Sequence, residues 1–257
     1  MKFSLPGVPV TVHWSFLFVA VLGFGYYQDP ADIAAWTAAV FVAVLLHECG
    51  HAYTAKAYGA GNVSVTLFAL GGFTQWVPKP SITAGNRFLI SAAGSAVGIT
   101  LGLLASRFVE VGILGTTFGN DVVAEGFLQA FLATIVLVGV FWGVLNWIPL
   151  LPLDGGHMLN HALAVFWPDQ AFNIALGVST VVGVGLIGAA FYYGQTFMAI
   201  FLIFILMSAW RSRPEPEAPP PTDAQEPPAA EQFPPVGPYP PAEPTPSEEP
   251  EPPAFPI

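Results

Sequence analysis

Long apolar runs, each broken by very few charges, are the feature that most limits what this chain can fold into. Stretches such as "FVAVLLHECGHAYTA" and "TIVLVGVFWGVLNW" run well past the length of a buried strand. A helix needs about 20 mostly apolar residues to cross a bilayer. Six segments approach that scale: 9–27, 33–55, 87–105, 123–147, 171–193 and 196–210, the last of them short. Only 9% of the residues are charged, where a soluble domain carries about 25%. The reading is a polytopic, all-α membrane protein of six transmembrane helices. "FYYGQTF", 191–197, is the expected turn between the fifth and sixth spans. The run after Val8 has no small-residue cleavage site behind it, so it is expected to stay in place as the first span.

Charge then orients the spans. With the N-terminus in the cytoplasm, Lys2, Lys56, Lys79, Arg87, Arg211 and Arg213 lie on the cytoplasmic side and only Arg107 lies outside. That asymmetry is what the positive-inside rule asks for, and it puts both termini in the cytoplasm. Loop 106–122 is then outside and loop 148–170 inside. The net charge of −10 belongs mostly to residues 211–257, where nine acids face two bases and 18 of the 26 prolines fall. Such a tail cannot bury a core and reads as a disordered, acidic, Pro-rich cytoplasmic extension. "PPVGPYPPAEP" within it is a candidate for docking to a regulator with an aromatic groove. No basic patch points to nucleic acid, and a single cysteine rules out an intramolecular disulfide framework. The short chain without targeting extensions fits a prokaryotic inner (plasma) membrane.

One segment is apolar yet too short to span. In "NVSVTLFALGGFTQW", 62–76, Val63, Val65 and Leu67 alternate with Ser64, Thr66 and Phe68, and Gly71 with Gly72 signals a turn. Irregular backbone at membrane depth has to be buried in protein or line a wet cavity. A re-entrant or interfacial β-hairpin on the cytoplasmic side is expected, with a loop on the headgroups as the alternative. An exposed strand edge at 63–68 would be able to hold an extended peptide.

The ionisable groups of "HECGH" sit inside the second span, where unpaired charges cost several kcal/mol. On a helix, residues i and i+4 share a face, so His47 and His51 can reach one metal ion. Imidazoles suit zinc, and Glu48 is placed to act as general base toward water. Catalytic zinc takes a third protein ligand. No acid follows His51 until Glu110, leaving Glu110, Asp121, Glu125, Asp154 and Asp169. His51 is five residues, about 7–8 Å of helix, from the cytoplasmic end at Lys56. Glu110, Asp121 and Glu125 belong to the opposite side. Asp169, after "FWP", has the look of an N-cap for the fifth span. Asp154, in "NWIPLLPLDGG", follows prolines that break the fourth span and precedes two glycines that allow close backbone approach. Asp154 is the expected third ligand.

"HECGH" in the second span and "NWIPLLPLDGG" some hundred residues later together resemble the paired signature of the site-2 proteases, intramembrane zinc metalloproteases; the likeness covers most of residues 8–165. "LFALGGFTQW" resembles that family's edge-strand hairpin, and "VHWSF" is also similar. The resemblance implies one zinc per chain on His47, His51 and Asp154, Glu48 as catalytic base, and Asn146 as a residue that positions the substrate carbonyl or stabilises the oxyanion. It implies substrates that are single-span membrane proteins, such as an anti-sigma factor or a membrane-held transcription regulator, cut near the cytoplasmic side. It also implies a form without an appended PDZ or nucleotide-sensing CBS-type domain. In "AAGSAVGI", 92–99, Ser95 and Gly98 stand where the family often has proline and asparagine.

Other polar residues have blander readings. His157 and His161 form a second i, i+4 pair, more simply interfacial or supporting Asp154 than a second metal site. His13 begins the first span, and the helix turns Cys49 away from the metal-facing histidines. The rival reading of the whole chain is a metal-binding membrane protein without protease activity, such as a metal carrier or assembly factor. A carrier asks for ionisable groups along a path through several spans, whereas here they cluster at one depth.

Overall fold

The computed structural model describes residues 1–25, 27–69, 71–113, 116–118 and 126–213. Asp121, Glu125 and the Pro-rich tail beyond Arg213 lie outside the described residues. The first turns are strands: β1 (Lys2–Leu5) and β2 (Val8–Val12) form a hairpin. A 3-10 turn (Trp14–Leu17) leads into the short α1 (Phe18–Gly23). The long α2 (Pro30–Ala57) follows, then β3 (Gly61–Phe68) and β4 (Gly71–Val77), then α3 (Ala84–Ala105). Two three-residue strands, β5 (Val111–Ile113) and β6 (Thr116–Phe118), pair beyond it.

The third long helix is continuous over Gly126–Leu145. It consists of α4 (Gly126–Val136), a π-helical stretch (Leu137–Trp142) and α5 (Gly143–Leu145). After the proline-broken segment 146–153 come α6 (Asp154–Leu163), α7 (Ala171–Tyr192) and α8 (Thr196–Arg211). Among the described residues, α2, α3, Gly126–Leu145 and α7 are long and apolar enough to cross a membrane. Their outward faces stay apolar, as at Val181 and Val184 of α7. The chain is a mostly helical, multi-pass membrane protein.

Four expectations are corrected. The protein is not all-α: besides the β5–β6 pair, four strands form one sheet in the order β1-β2-β3-β4, with β2 and β3 parallel. The 9–27 run begins as strand, because "VPVTV" alternates with period two and buries Val8 and Val10 against β3 and α2. β3 is therefore an interior strand, not an edge, and the free edge on that side is β4. Residues 196–210, expected to be short, lie within the 16-residue α8, about 24 Å long against a hydrocarbon core of roughly 30 Å. Finally, Asp169 does not cap α7: Gln170 holds the N-cap position without a side-chain hydrogen bond.

Helix ends are set by local chemistry. Asp29 accepts a hydrogen bond from the Ala31 amide at 2.7 Å, and Pro30 opens α2 where its missing N–H is not needed. At the other end Gly59, with φ of +86°, reverses the chain toward β3. Thr83 and Asn86 form a reciprocal cap on α3. The buried face of α3 carries Ile90, Gly94, Ser95, Gly98 and Gly102. Its glycines let α2 approach through Gly50 and the third long helix through Gly139.

Candidate metal centre

His47 and His51 project from α2 toward the start of α6. The Nε2 atoms of the two rings are 3.1 Å apart. Asp154, the first residue of α6, places Oδ2 3.2 Å from His47 Nε2 and Oδ1 3.4 Å from His51 Nε2. One ligand atom from each residue falls within 4.8 Å of the other two. Among the described residues this is the one group of three or more such side chains arranged to hold a metal ion. Two imidazoles and a carboxylate converging in a mostly buried site are a donor set for catalytic zinc, which leaves a fourth position open. Burial alone would raise the Asp154 carboxyl, but its hydrogen bonds with the His47 and His51 rings outweigh it and hold the group well below the usual carboxylate range.

Two of the three donors, His51 and Asp154, are held from outside the site. His51 Nδ1 lies 2.7 Å from the Ile90 carbonyl of α3, which fixes the ring with Nε2 toward the site. Ser95 Oγ donates to Asp154 Oδ2 at 2.9 Å. Gly94 leaves the volume that the His51 ring fills, since a Cβ there would overlap it. The "LDGG" glycines have a matching purpose. A side chain on Gly155 or Gly156 would strike the backbone of Trp147–Ile148 or Leu150–Leu151, so α6 can start only if both are glycine. The Gly155 amide then donates to the Asn146 carbonyl at 2.5 Å.

Glu48 is 5% exposed and beside the histidines. Its Oε2 accepts from Thr74 Oγ1 of β4 at 2.7 Å. Gly72 lies on the same face of β4, and a Cβ there would fall 2.6 Å from Glu48 Cγ. Asn146 ends the third long helix half-buried, and no hydrogen bond joins its side chain to another described residue.

The remaining polar residues lie elsewhere. His13 Nδ1 pairs with Ser15 Oγ at 2.7 Å, and that hydroxyl accepts from the Ala69 amide, so His13 ties the first segment to the β3–β4 turn. His157 and His161 stack at 6.4 Å, with no third metal-binding side chain among the described residues. Burial, with His157 and Arg87 close by, pushes the His161 ring down to about 4. Cys49 is buried and free. Sequence reasoning passed over Thr74 and left the role of Ser95 open. The period-two spacing of Gly72 and Thr74, and the departure at Ser95, were the available signals.

A family model described as Peptidase family M50 matches residues 108–187. A zinc metalloprotease of Methanocaldococcus jannaschii is 27% identical over 210 residues, 79% of this chain and 56% of that protein. A relative from Synechocystis sp. is 30% identical over 220 residues, 80% of this chain and 54% of its own. The chain thus spans about half the length of these curated relatives. A solved structure of a site-2 protease from Methanocaldococcus jannaschii shares the fold, with a TM-score of 0.58 at 23% identity over 86% of this chain and 98% of that one.

Proposed function

The chain belongs to the site-2 protease (peptidase M50) family, with His47, His51 and Asp154 as its zinc ligand group, and on that premise we propose that it is an intramembrane endopeptidase. Its substrates are single-span membrane proteins, cut near the cytoplasmic side so that a regulatory domain is released. The observation that carries this reading is the placement of Glu48. A buried carboxylate stands beside three converging donors and one hydrogen bond from a free strand edge.

When bound, zinc supplies Lewis acidity, which acidifies water and polarises a peptide carbonyl. The residues of the chain do the rest. Glu48 takes the proton of the attacking water and passes it to the leaving amine. Thr74 keeps the Glu48 carboxylate aimed. Asn146 donates from its side-chain amide to the oxygen of the scissile carbonyl, a contribution typically worth about 3 kcal/mol. A substrate helix hides its peptide bonds in its own hydrogen bonds, so it has to unwind first. The free edge of β4 is suited to receive the unwound segment by strand addition, which brings it past Gly72 and Thr74 to Glu48.

In the membrane, six crossings with cytoplasmic termini fit both the lysine and arginine distribution and the packing. α1 packs along α2, and β2 pairs with β3, which itself packs on α2. The Gly7 carbonyl accepts from Lys56 Nζ near one end of α2, and the Val19 carbonyl accepts from Trp36 Nε1 near the other. The first crossing is then part strand and part helix. A metal carrier would need donors spaced along a path, and the single donor group among the described residues does not favour it.

The test is to incubate purified protein with single-span proteins of the same membrane and map the products by mass spectrometry. Cuts within or beside their spans, absent with Glu48→Gln, are expected. The same cuts with Glu48→Gln, or none with either protein, contradict the reading.

A further inference from the structure

One hydroxyl of α3 departs from the pattern that three threonines of the long helices follow. Thr100, Thr134 and Thr180 each turn back on the carbonyl four residues earlier, the usual way a membrane helix satisfies a hydroxyl. Ser95, fully buried, instead reaches 59 positions along the chain to Asp154 Oδ2 at 2.9 Å. It does so one residue after Gly94, which admits the His51 ring, and five after Ile90, whose carbonyl holds that ring.

Resting on the reading of His47, His51 and Asp154 as the ligands, we propose that Ser95 is a positioning residue for the metal site. Its hydroxyl occupies Oδ2 of Asp154 and leaves Oδ1 as the one carboxylate donor, which keeps the coordination four-fold. A carboxylate free to rotate would offer both oxygens, and the preference of zinc for three protein ligands plus one open position would be lost. A hydrogen bond that orients a ligand from a residue not itself touching the metal is worth about 10- to 100-fold in metal affinity. In this chain that support comes from α3, at a position where the family often carries a proline with no hydroxyl to give.

The experiment uses the full chain in detergent. Zinc affinity is measured by competition with a chelating dye, and coordination by the absorption of the cobalt-substituted protein. Ser95→Ala should weaken zinc by about 10-fold or more and lower the cobalt absorption from its intense four-coordinate form. Ser95→Thr, which keeps the hydroxyl, should restore both, and the unfolding midpoint of the zinc-free protein should not move in Ser95→Ala. Wild-type affinity and spectrum in Ser95→Ala, alongside lost zinc in Asp154→Ala, overturn the proposal and leave the ligand set standing. Weakened zinc with a lowered zinc-free midpoint and no rescue by Ser95→Thr makes Ser95 merely structural and also overturns it. Full zinc in Asp154→Ala removes the ligand set itself, and the proposal with it.

Discussion

Thr74 Oγ1 donates to Glu48 Oε2 at 2.7 Å, joining the free edge strand β4 to the buried carboxylate of α2. A hydrogen bond to a charged acceptor contributes about 1.5–3 kcal/mol. Thr74→Val keeps the shape and removes the donor. Turnover of a cleaved substrate should fall about tenfold or more, with zinc per chain unchanged. Equal turnover would show that Glu48 is aimed by something else.

Gly72 sits where any side chain would press on Glu48 Cγ. Gly72→Ala therefore displaces the carboxylate, at a cost of about 1–3 kcal/mol by analogy with overpacked cores. The expected outcome is a protein that retains zinc and is nearly inactive, checked by metal analysis and a cleavage assay on one preparation.

Gly94→Ala acts on the metal instead. A methyl there overlaps the His51 ring, so the ring has to leave its bond with Ile90. Zinc per chain should fall well below that of the wild type, while Gly98→Ala, whose Cβ would approach nothing closer than 3.6 Å, should keep it.

Because β3 is interior, the strand available to an extended substrate is β4. Phe73 is 42% exposed and points to the opposite face from Gly72 and Thr74. Phe73→Asp should lower turnover without changing zinc content. A charge at Val65, which is buried between strand and helix, should instead reduce the amount of folded protein. Equal, undiminished turnover in Phe73→Asp would argue against strand addition at this edge.

The metal ligands were legible because few chemistries justify placing "HECGH" in an apolar run, and because topology left Asp154 as the acid best able to reach it. The sheet was harder to see. A five-residue strand at Val8–Val12 is hidden inside a run whose hydrophobicity suits a helix equally well, and its partner lies more than 50 positions away. Without β2 in place, β3 looked like an edge. The supporting hydroxyls of Thr74 and Ser95 were hard to see for a related reason. Each serves a residue remote in sequence, and the period-two spacing at Gly72 and Thr74 or the departure at Ser95 marks a position without naming its partner.

The measurement that tests the central claim most directly is zinc per chain in purified wild type and in Asp154→Ala. About one zinc in the wild type and little in the variant is the predicted result. Full occupancy in Asp154→Ala, or no zinc in either protein, would contradict the three-ligand site on which the proteolytic reading stands.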